Sequence, residues 1–432
     1  MNDVIVIGAG IAGLAAARTL AEAGQRVALI EAQERAGGRI LTVPAADGGL
    51  PVELGAEFIH GLPPELIHLV EEAGLTRFEL EGDSRCVRAH QGLSPCAPQR
   101  EVDQLFDELG QMKQAPSDLT FSQFVGQRNL APDAVALATN YVEGFNAADA
   151  SRISVQSLAK QQAAEDAIEG DRLFRVAEGY AEVPAFLLRR FLDAGGDWAP
   201  SCPVRSIVWK PGRVEVATAG DRAFHAAAVI ITLPLGVLQA RRVAFTPQPR
   251  EILDAADRLA MGPVARVVYE FDPRFWDRFA SLGGVSFVFA PEFTPPTWWT
   301  TNPQPSSLLT GWVAGRKASK LTIAGLPEAG LATLADIFGS SPSDIRQYLV
   351  RWQLHDWQAD VHSLGAYTYV PRGAIQASDE LAVPVEGTLF FAGEHTDTSG
   401  HWGTVHAALR SGYRAAAQVL GARPSPKTVA DG

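Results

Sequence analysis

The chain has 432 residues, 47% of them hydrophobic and 20% charged, which at roughly 150 residues per domain is room for two or three ordinary globular domains and argues against disorder. Its 37 basic and 49 acidic residues leave a formal charge of −12, so nucleic acid and anionic membrane surfaces are excluded as expected partners. Cys86, Cys96 and Cys202 form an odd set without CxxC or metal-type spacing, so neither a disulfide framework nor a zinc site is expected, and a reducing compartment fits best.

Asp3 stands where a secretion signal wants positive charge, and the next residues suit a fold better than a leader. Residues 4–7 are a fully apolar, β-branched run, the pattern of a buried parallel strand. The run leads into Gly8-Ala-Gly10-Ile-Ala-Gly13, then an alanine- and leucine-rich helix over 14–23 closed by Gly24. A second strand over 26–30 ends in Glu31. GxGxxG between a strand and a helix, with an acidic residue soon after, is the dinucleotide fingerprint. The glycines allow the tight turn and close approach to a pyrophosphate, the helix start offers free N–H groups, and Glu31 is placed to accept from ribose hydroxyls. Gly37-Gly38-Arg39 adds a second phosphate-facing loop, with Arg39 able to fork onto an oxyanion.

Beyond this, helices are expected over 101–113 and 133–142, and strands over 264–271, 285–289 and 308–313. The longest apolar run, 226–238, is short of the ~18–20 residues of a membrane span and is broken by Pro234. A cytoplasmic protein without a membrane span is therefore expected. The proline-rich stretch 291–305 reads as loop or lid, and its Trp298 and Trp299, like Trp402, read first as core packing. Residues 423–432 read as a frayed tail.

The run from Glu31 through Arg39 to Thr42 resembles the N-terminal motif of the flavin-containing amine oxidase superfamily, which includes monoamine oxidases, polyamine oxidases and lysine-specific histone demethylases. Four further segments carry the resemblance over nearly the whole chain. Glu53-Leu-Gly55-Ala56-Glu57-Phe58-Ile-His60-Gly61 looks like the loop beside the isoalloxazine ring, with His60 closer to the polyamine oxidase pattern. Residues 203–207, followed by 229–238, resemble the strand whose backbone at Val204 meets the adenine and the strand that returns to the cofactor domain. Residues 389–396 look like a second FAD motif, with Gly393 and with Glu394 on the ribityl or phosphate side. The helix beginning at Thr404 and Val405 starts at the flavin.

The resemblance implies an α/β fold with a discontinuous Rossmann-type FAD-binding domain, 1–72, 196–260 and 365–425, and a second α+β substrate-binding domain, 73–195 and 261–364, leaving 426–432 as tail. It implies one FAD, held without a covalent bond, because Ala366 stands where monoamine oxidases tether the flavin through cysteine. A helix N-terminus carries about half a positive charge, so one aimed at a reduced flavin stabilises its negative form.

For the reaction, the family strand matched by Gly365-Ala366-Tyr367 carries one tyrosine of an aromatic cage. Thr404 falls where monoamine oxidases have the second, so a two-tyrosine sandwich is not expected. Trp357 resembles a tryptophan near the flavin, and His60 is the natural group to meet a polar or cationic substrate at neutral pH. Glu53 and Glu57 are expected to pin their loop. Arg266 departs from the family, which usually has a lysine there holding a water against flavin N5. If the strand register is kept, Arg266 inherits that direction. No second nucleotide motif and no cysteine pair in sequence suits a reductase, so O2 is the simplest acceptor. The leading expectation is an FAD-dependent oxidase of primary or secondary amines, transferring hydride to N5 and yielding hydrogen peroxide. An amino-acid oxidase or desaturase on the same scaffold, with Arg266 pairing a substrate carboxylate, and a catalytically silent flavin-binding subunit are the alternatives.

Overall fold

The computed structural model describes residues 2–88, 92–96, 99–220, 222–272, 274–278 and 284–421, so the expected tail lies outside the described residues. Its centre is a five-stranded sheet in the order Asp197–Ala199, Val27–Ile30, Val4–Ile7, Ala228–Ile231, Leu389–Phe391, with every pairing parallel. The three inner strands are buried at all positions, as apolar four-residue runs covered on both faces must be. The helices Ile11–Glu22, Glu182–Asp193 and Val405–Gly421 cover one face through Leu14, Leu187 and Leu409. Gly412 lets the last helix lie on the first, since a Cβ there would stand 2.2 Å from Ala12 O. On the other face a four-stranded sheet brings Ile207, Trp209, Val214 and Val216 under Ile5 and Val229.

A seven-stranded sheet forms the second layer system, in the order Leu349–Gln353, Val264–Phe271, Leu308–Ala314, Thr297–Trp299, Val285–Phe289, Asp83–Arg88, Gly92–Pro95. The stretch expected as loop thus contributes a strand: Trp298 and Trp299 pair with Gly311 and Thr310 on one side and with Val288 and Phe287 on the other. Val264–Phe271 is buried at all eight positions, between the helix Leu326–Phe338 and the interior of the molecule.

Cys86 and Cys96 are bonded to each other, which corrects the expectation of no disulfide. The hairpin pairs Cys86 with Ser94, so Cys96 arrives diagonally beside it. An odd count leaves room for one pair and one free thiol, and Cys202 is that buried free thiol. The helices Arg100–Gly110, Phe121–Gly126, Pro132–Asn146 and Val155–Asp166 pack on a core of their own around Leu105, Phe121, Phe124 and Val142. The expected helix over 101–113 ends sooner, giving way to a 3-10 turn at Gln111–Gln114, and the one over 133–142 runs on to Asn146. No helix among the described residues is long and apolar enough to cross a membrane.

Candidate active site

The parallel sheet, the seven-stranded sheet and the helical group enclose a cavity of about 2630 Å³. At one end its wall is mostly backbone. The first helix begins at Ile11 with Gly10 as its cap, three residues earlier than expected, so the free N–H groups of its first turn face the cavity. A Cβ on Gly10 would meet nothing within 4 Å, because it would project into the cavity, whereas one on Gly13 would stand 1.8 Å from Gly8 O. Glu31 is held between two loops: Oε2 accepts from Ala9 N of the glycine turn at 2.7 Å and Oε1 from Gln33 N at 2.9 Å. Gly8, Gly38 and Val204 line the same end. An open groove at a helix N-terminus with an acid beyond it fits the pyrophosphate and ribose of a dinucleotide.

Midway, Arg39 joins three parts of the chain. Its Nη1 donates to Ala366 O at 2.7 Å and to Glu394 Oε1 at 2.8 Å. Glu394 is fully enclosed, accepting also from Thr368 Oγ1 at 3.0 Å and Gly403 N at 3.0 Å. Burial raises its pKa, but Arg39 and these donors outweigh burial and leave it below the usual carboxylate value. Thr404 caps the last helix: its hydroxyl donates to His401 O at 2.7 Å and accepts from Ala407 N at 3.2 Å. Val405 therefore opens that helix on the cavity wall, beside Gly393.

The other end is built from side chains. Arg266 is 4% exposed and lines the cavity. Nη1 donates to Gly55 O at 2.7 Å, Nη2 is ion-paired with Glu57, and the guanidinium lies 5.4 Å from the centre of the Trp299 ring. Glu57 is shared with Arg175 at 3.2 Å and accepts from Trp299 Nε1 at 3.1 Å. Arg266 Nε makes no hydrogen bond among the described residues. Burial lowers the guanidinium's proton affinity and the Glu57 charge opposes that. Glu57 does pin its loop, but it does so by holding two arginines, a partnership with no local sequence signal. Glu53, also buried, accepts from Thr42 Oγ1 at 2.6 Å and Tyr180 N at 2.8 Å, and burial raises its carboxyl to about 7.

His60 lines this end between Phe58 and Phe145, with ring centres 6.3 and 5.6 Å away. Burial pushes its imidazole down to about 4, so it is neutral at pH 7, and Nδ1 has no partner among the described residues. Tyr367 donates from its hydroxyl to Phe145 O at 2.8 Å and lies against Gly403. Trp357 is buried on the cavity wall, with Nε1 bonded to Leu54 O at 2.9 Å and its ring 4.1 Å from His355. Trp299, read first as core packing, lines the cavity together with Trp312, Phe145 and Tyr141, none of which sequence spacing marks. Gly55, Ala56 and Phe58 complete the wall between the two ends.

A dinucleotide groove continuing into an aromatic-lined chamber defines a flavin-dependent oxidoreductase that works on an organic substrate. The chain belongs to the family of flavin-containing amine oxidoreductases, whose model matches residues 11–420. It is 30% identical over 449 residues to polyamine oxidase 3 of Oryza sativa subsp. japonica, covering 96% of this chain and 88% of that one. It is 31% identical to polyamine oxidase 2 of Arabidopsis thaliana, covering 96% and 87%. Among solved structures, putrescine oxidase bound to putrescine superposes with a TM-score of 0.84 at 23% identity, covering 97% of this chain and 99% of that chain. Cyclohexylamine oxidase from Brevibacterium oxydans IH-35A does so at 0.80 and 24%, with the same coverage. The protein is an FAD-dependent amine oxidase, and FAD is held without a covalent bond.

Proposed function

We propose that the chain oxidises an amine that carries a second positive charge, a diamine or polyamine, with O2 as electron acceptor and hydrogen peroxide as a product. The observation that carries this is the contrast between the chamber and its mouth. Tyr141, 55% exposed, stacks on Phe145 at 5.9 Å, and the row continues through His60 and Phe58 to Trp299. Glu101, Asp103, Glu165, Asp166, Glu169 and Asp171 line the same cavity on the helical side. Burial raises Glu165 to about 7, so an arriving ammonium draws it into the charged form. Such a mouth attracts a cation, while the aromatic chamber favours the neutral form of the amine that is to react.

When bound, FAD supplies the two-electron acceptor for the substrate C–H bond. The chain holds it at Gly10, Glu31 and the start of the last helix, and Arg266, Tyr367, His60 and Trp357 form the walls that orient the amine and exclude water. His60, being neutral, accepts a hydrogen bond without repelling an ammonium. Thr404 acts through the helix it caps. The names of the relatives, polyamine and putrescine oxidases, support a charged aliphatic amine. The amino-acid alternative loses its main support, because both terminal nitrogens of Arg266 are engaged by Gly55 and Glu57.

The proposal keeps the expected division into an FAD-binding part, 1–72, 196–260 and 365–425, and a substrate-binding part. All strands of the parallel sheet fall in the first and all strands of the seven-stranded sheet in the second, although the helix Glu182–Asp193 packs on the cofactor side. It also keeps a cytoplasmic setting, against which the disulfide is the contrary observation. The test is anaerobic mixing of the holoenzyme with putrescine, spermidine, benzylamine and L-amino acids while the flavin bleaches. Di- and polyamines should reduce it fastest, and faster reduction by an amino acid would overturn the assignment.

A further inference from the structure

The bond between Cys86 and Cys96 plays no part in the chemistry above, yet both cysteines line the active-site cavity. Cys86 lies in Asp83–Arg88, in register with Phe289 of the neighbouring strand, which also faces the cavity. Cys96 precedes the helix Arg100–Gly110, which places Glu101 and Asp103 at the mouth. The bond therefore fastens the start of a carboxylate-bearing helix to the sheet edge. Cys202 stands apart, at the nucleotide end, where its backbone N–H donates to Glu31 O at 2.8 Å and its sulfur accepts from Arg222 at 3.2 Å.

We propose that Cys86 and Cys96 are a dithiol at the cavity mouth that the enzyme's own hydrogen peroxide closes, and that closure sets the affinity for the cationic substrate. The inference rests on the oxidase reading, which supplies the peroxide. Peroxide made in the chamber leaves through a cavity whose wall carries both sulfurs. The thiolate of one cysteine attacks the O–O bond, takes one oxygen as sulfenic acid and releases the other as water. The second thiol then displaces that hydroxyl, so the S–S bond forms and a second water leaves. Two thiols lose two electrons and one peroxide gains two, with no other oxidant. This also reconciles a disulfide with a reducing compartment, since the bond is made by turnover rather than by the surroundings.

With the bond closed, Glu101 and Asp103 are fixed at the mouth. With it open, the hairpin ladder from Arg85 and Pro95 to Arg88 and Gly92 persists, but the helix start loses its covalent link. The expected effect is a KM for diamines raised roughly two- to fivefold, the size of an exposed ion pair, with kcat and flavin content unchanged.

The test uses holoenzyme made in a reducing cytosol, with thiols alkylated at lysis in one portion and the rest kept reduced until assay. Turnover with putrescine and O2 is quenched by iodoacetamide, and the peptides holding Cys86 and Cys96 are weighed. The bond should accumulate with turnover and stay absent when amine or O2 is withheld. A bond already complete at lysis, one that forms equally without amine, or a dithiol that survives many turnovers overturns the proposal. If no amine is turned over, the failure belongs to the oxidase reading. Hydrogen peroxide added to the reduced holoenzyme then tests the dithiol alone, and a pair that stays reduced overturns it. Cys86→Ser and Cys96→Ser should each show the raised KM before and after turnover, and an unchanged KM in both overturns the link to affinity.

Discussion

The two ends of the cavity are made in different ways. The nucleotide end is backbone: Gly10, the first turn of a helix, and Glu31 held by the N–H groups of Ala9 and Gln33. The end proposed for the reaction is side chains from distant segments, with Arg266, Glu57, Arg175 and Trp299 bound into one buried cluster. Backbone recognition depends on a few adjacent residues and resists change, whereas a side-chain cluster is adjustable one member at a time. The contrast says that cofactor and substrate fail separately when mutated.

Gly10→Val is the harshest trial of that separation. Its side chain enters open cavity, so the chain should fold while FAD retention falls about 100-fold or more, ~2.7 kcal/mol. Gly13→Ala, which meets Gly8 O, should instead lower the melting temperature. The ratio of flavin absorbance to protein, beside a thermal melt, reads both, and a fully yellow Gly10→Val protein would break the comparison.

At the reacting end, Glu57→Gln should leave two buried guanidinium groups without their anion, costing about 3–5 kcal/mol of stability. Arg266→Met leaves Glu57 still paired with Arg175 and should be far milder on stability, yet slow flavin reduction roughly 100-fold. Both proteins should bind FAD. Wild-type rates in both half-reactions of Arg266→Met would remove Arg266 from the reacting end.

Tyr367→Ala should slow reduction roughly tenfold with FAD retained, since a wall is lost and no cofactor cradle is touched. Tyr367→Phe removes only the bond to Phe145 O, about 1 kcal/mol, and should keep most of the rate. Equal rates in all three proteins would return Tyr367 to a purely structural role.

The smallest effect is in pH. Between the unfolded value of 4.5 and the folded value of about 7, folded Glu53 keeps a proton that the unfolded chain has lost. Stability therefore falls as pH rises across that window, by up to ~1.4 kcal/mol per unit, and its contribution is flat above it. His60, lowered from 6.5 to about 4, acts in reverse: stability falls as pH drops through that range, because only the unfolded chain is protonated there. Between 4.5 and 6.5 the two slopes oppose each other, so denaturation at several pH values should show Glu53→Gln losing stability more steeply toward acid and His60→Gln losing it more steeply toward neutral pH. A slope unchanged in Glu53→Gln would mean that this carboxyl titrates normally.

The same contrast explains what was legible beforehand. Gly8, Gly10, Gly13 and Glu31 announce themselves because the turn, the helix start and the acid lie within one short βαβ unit. The inward direction of Arg266 followed from strand alternation, but its partner Glu57 is 209 positions away and no periodicity couples them. Trp299 was hidden by the prolines around it, which mark turns yet do not forbid a three-residue strand between two longer ones. The disulfide is not legible in sequence because three cysteines without CxxC spacing do not show which two pair, and Cys86 and Cys96 meet only through the hairpin between them.

The first strand lies between Val27–Ile30 and Ala228–Ile231, and the first helix is covered by Val405–Gly421, with Gly412 seated on Ala12. A ribosome delivers the fingerprint long before its covering helix. For most of synthesis the motif that grips FAD exists without the layer that closes over it, leaving Leu14 and Ala15 bare. A chain stopped before residue 405 should therefore be a colourless, sticky client for chaperones rather than a weaker enzyme.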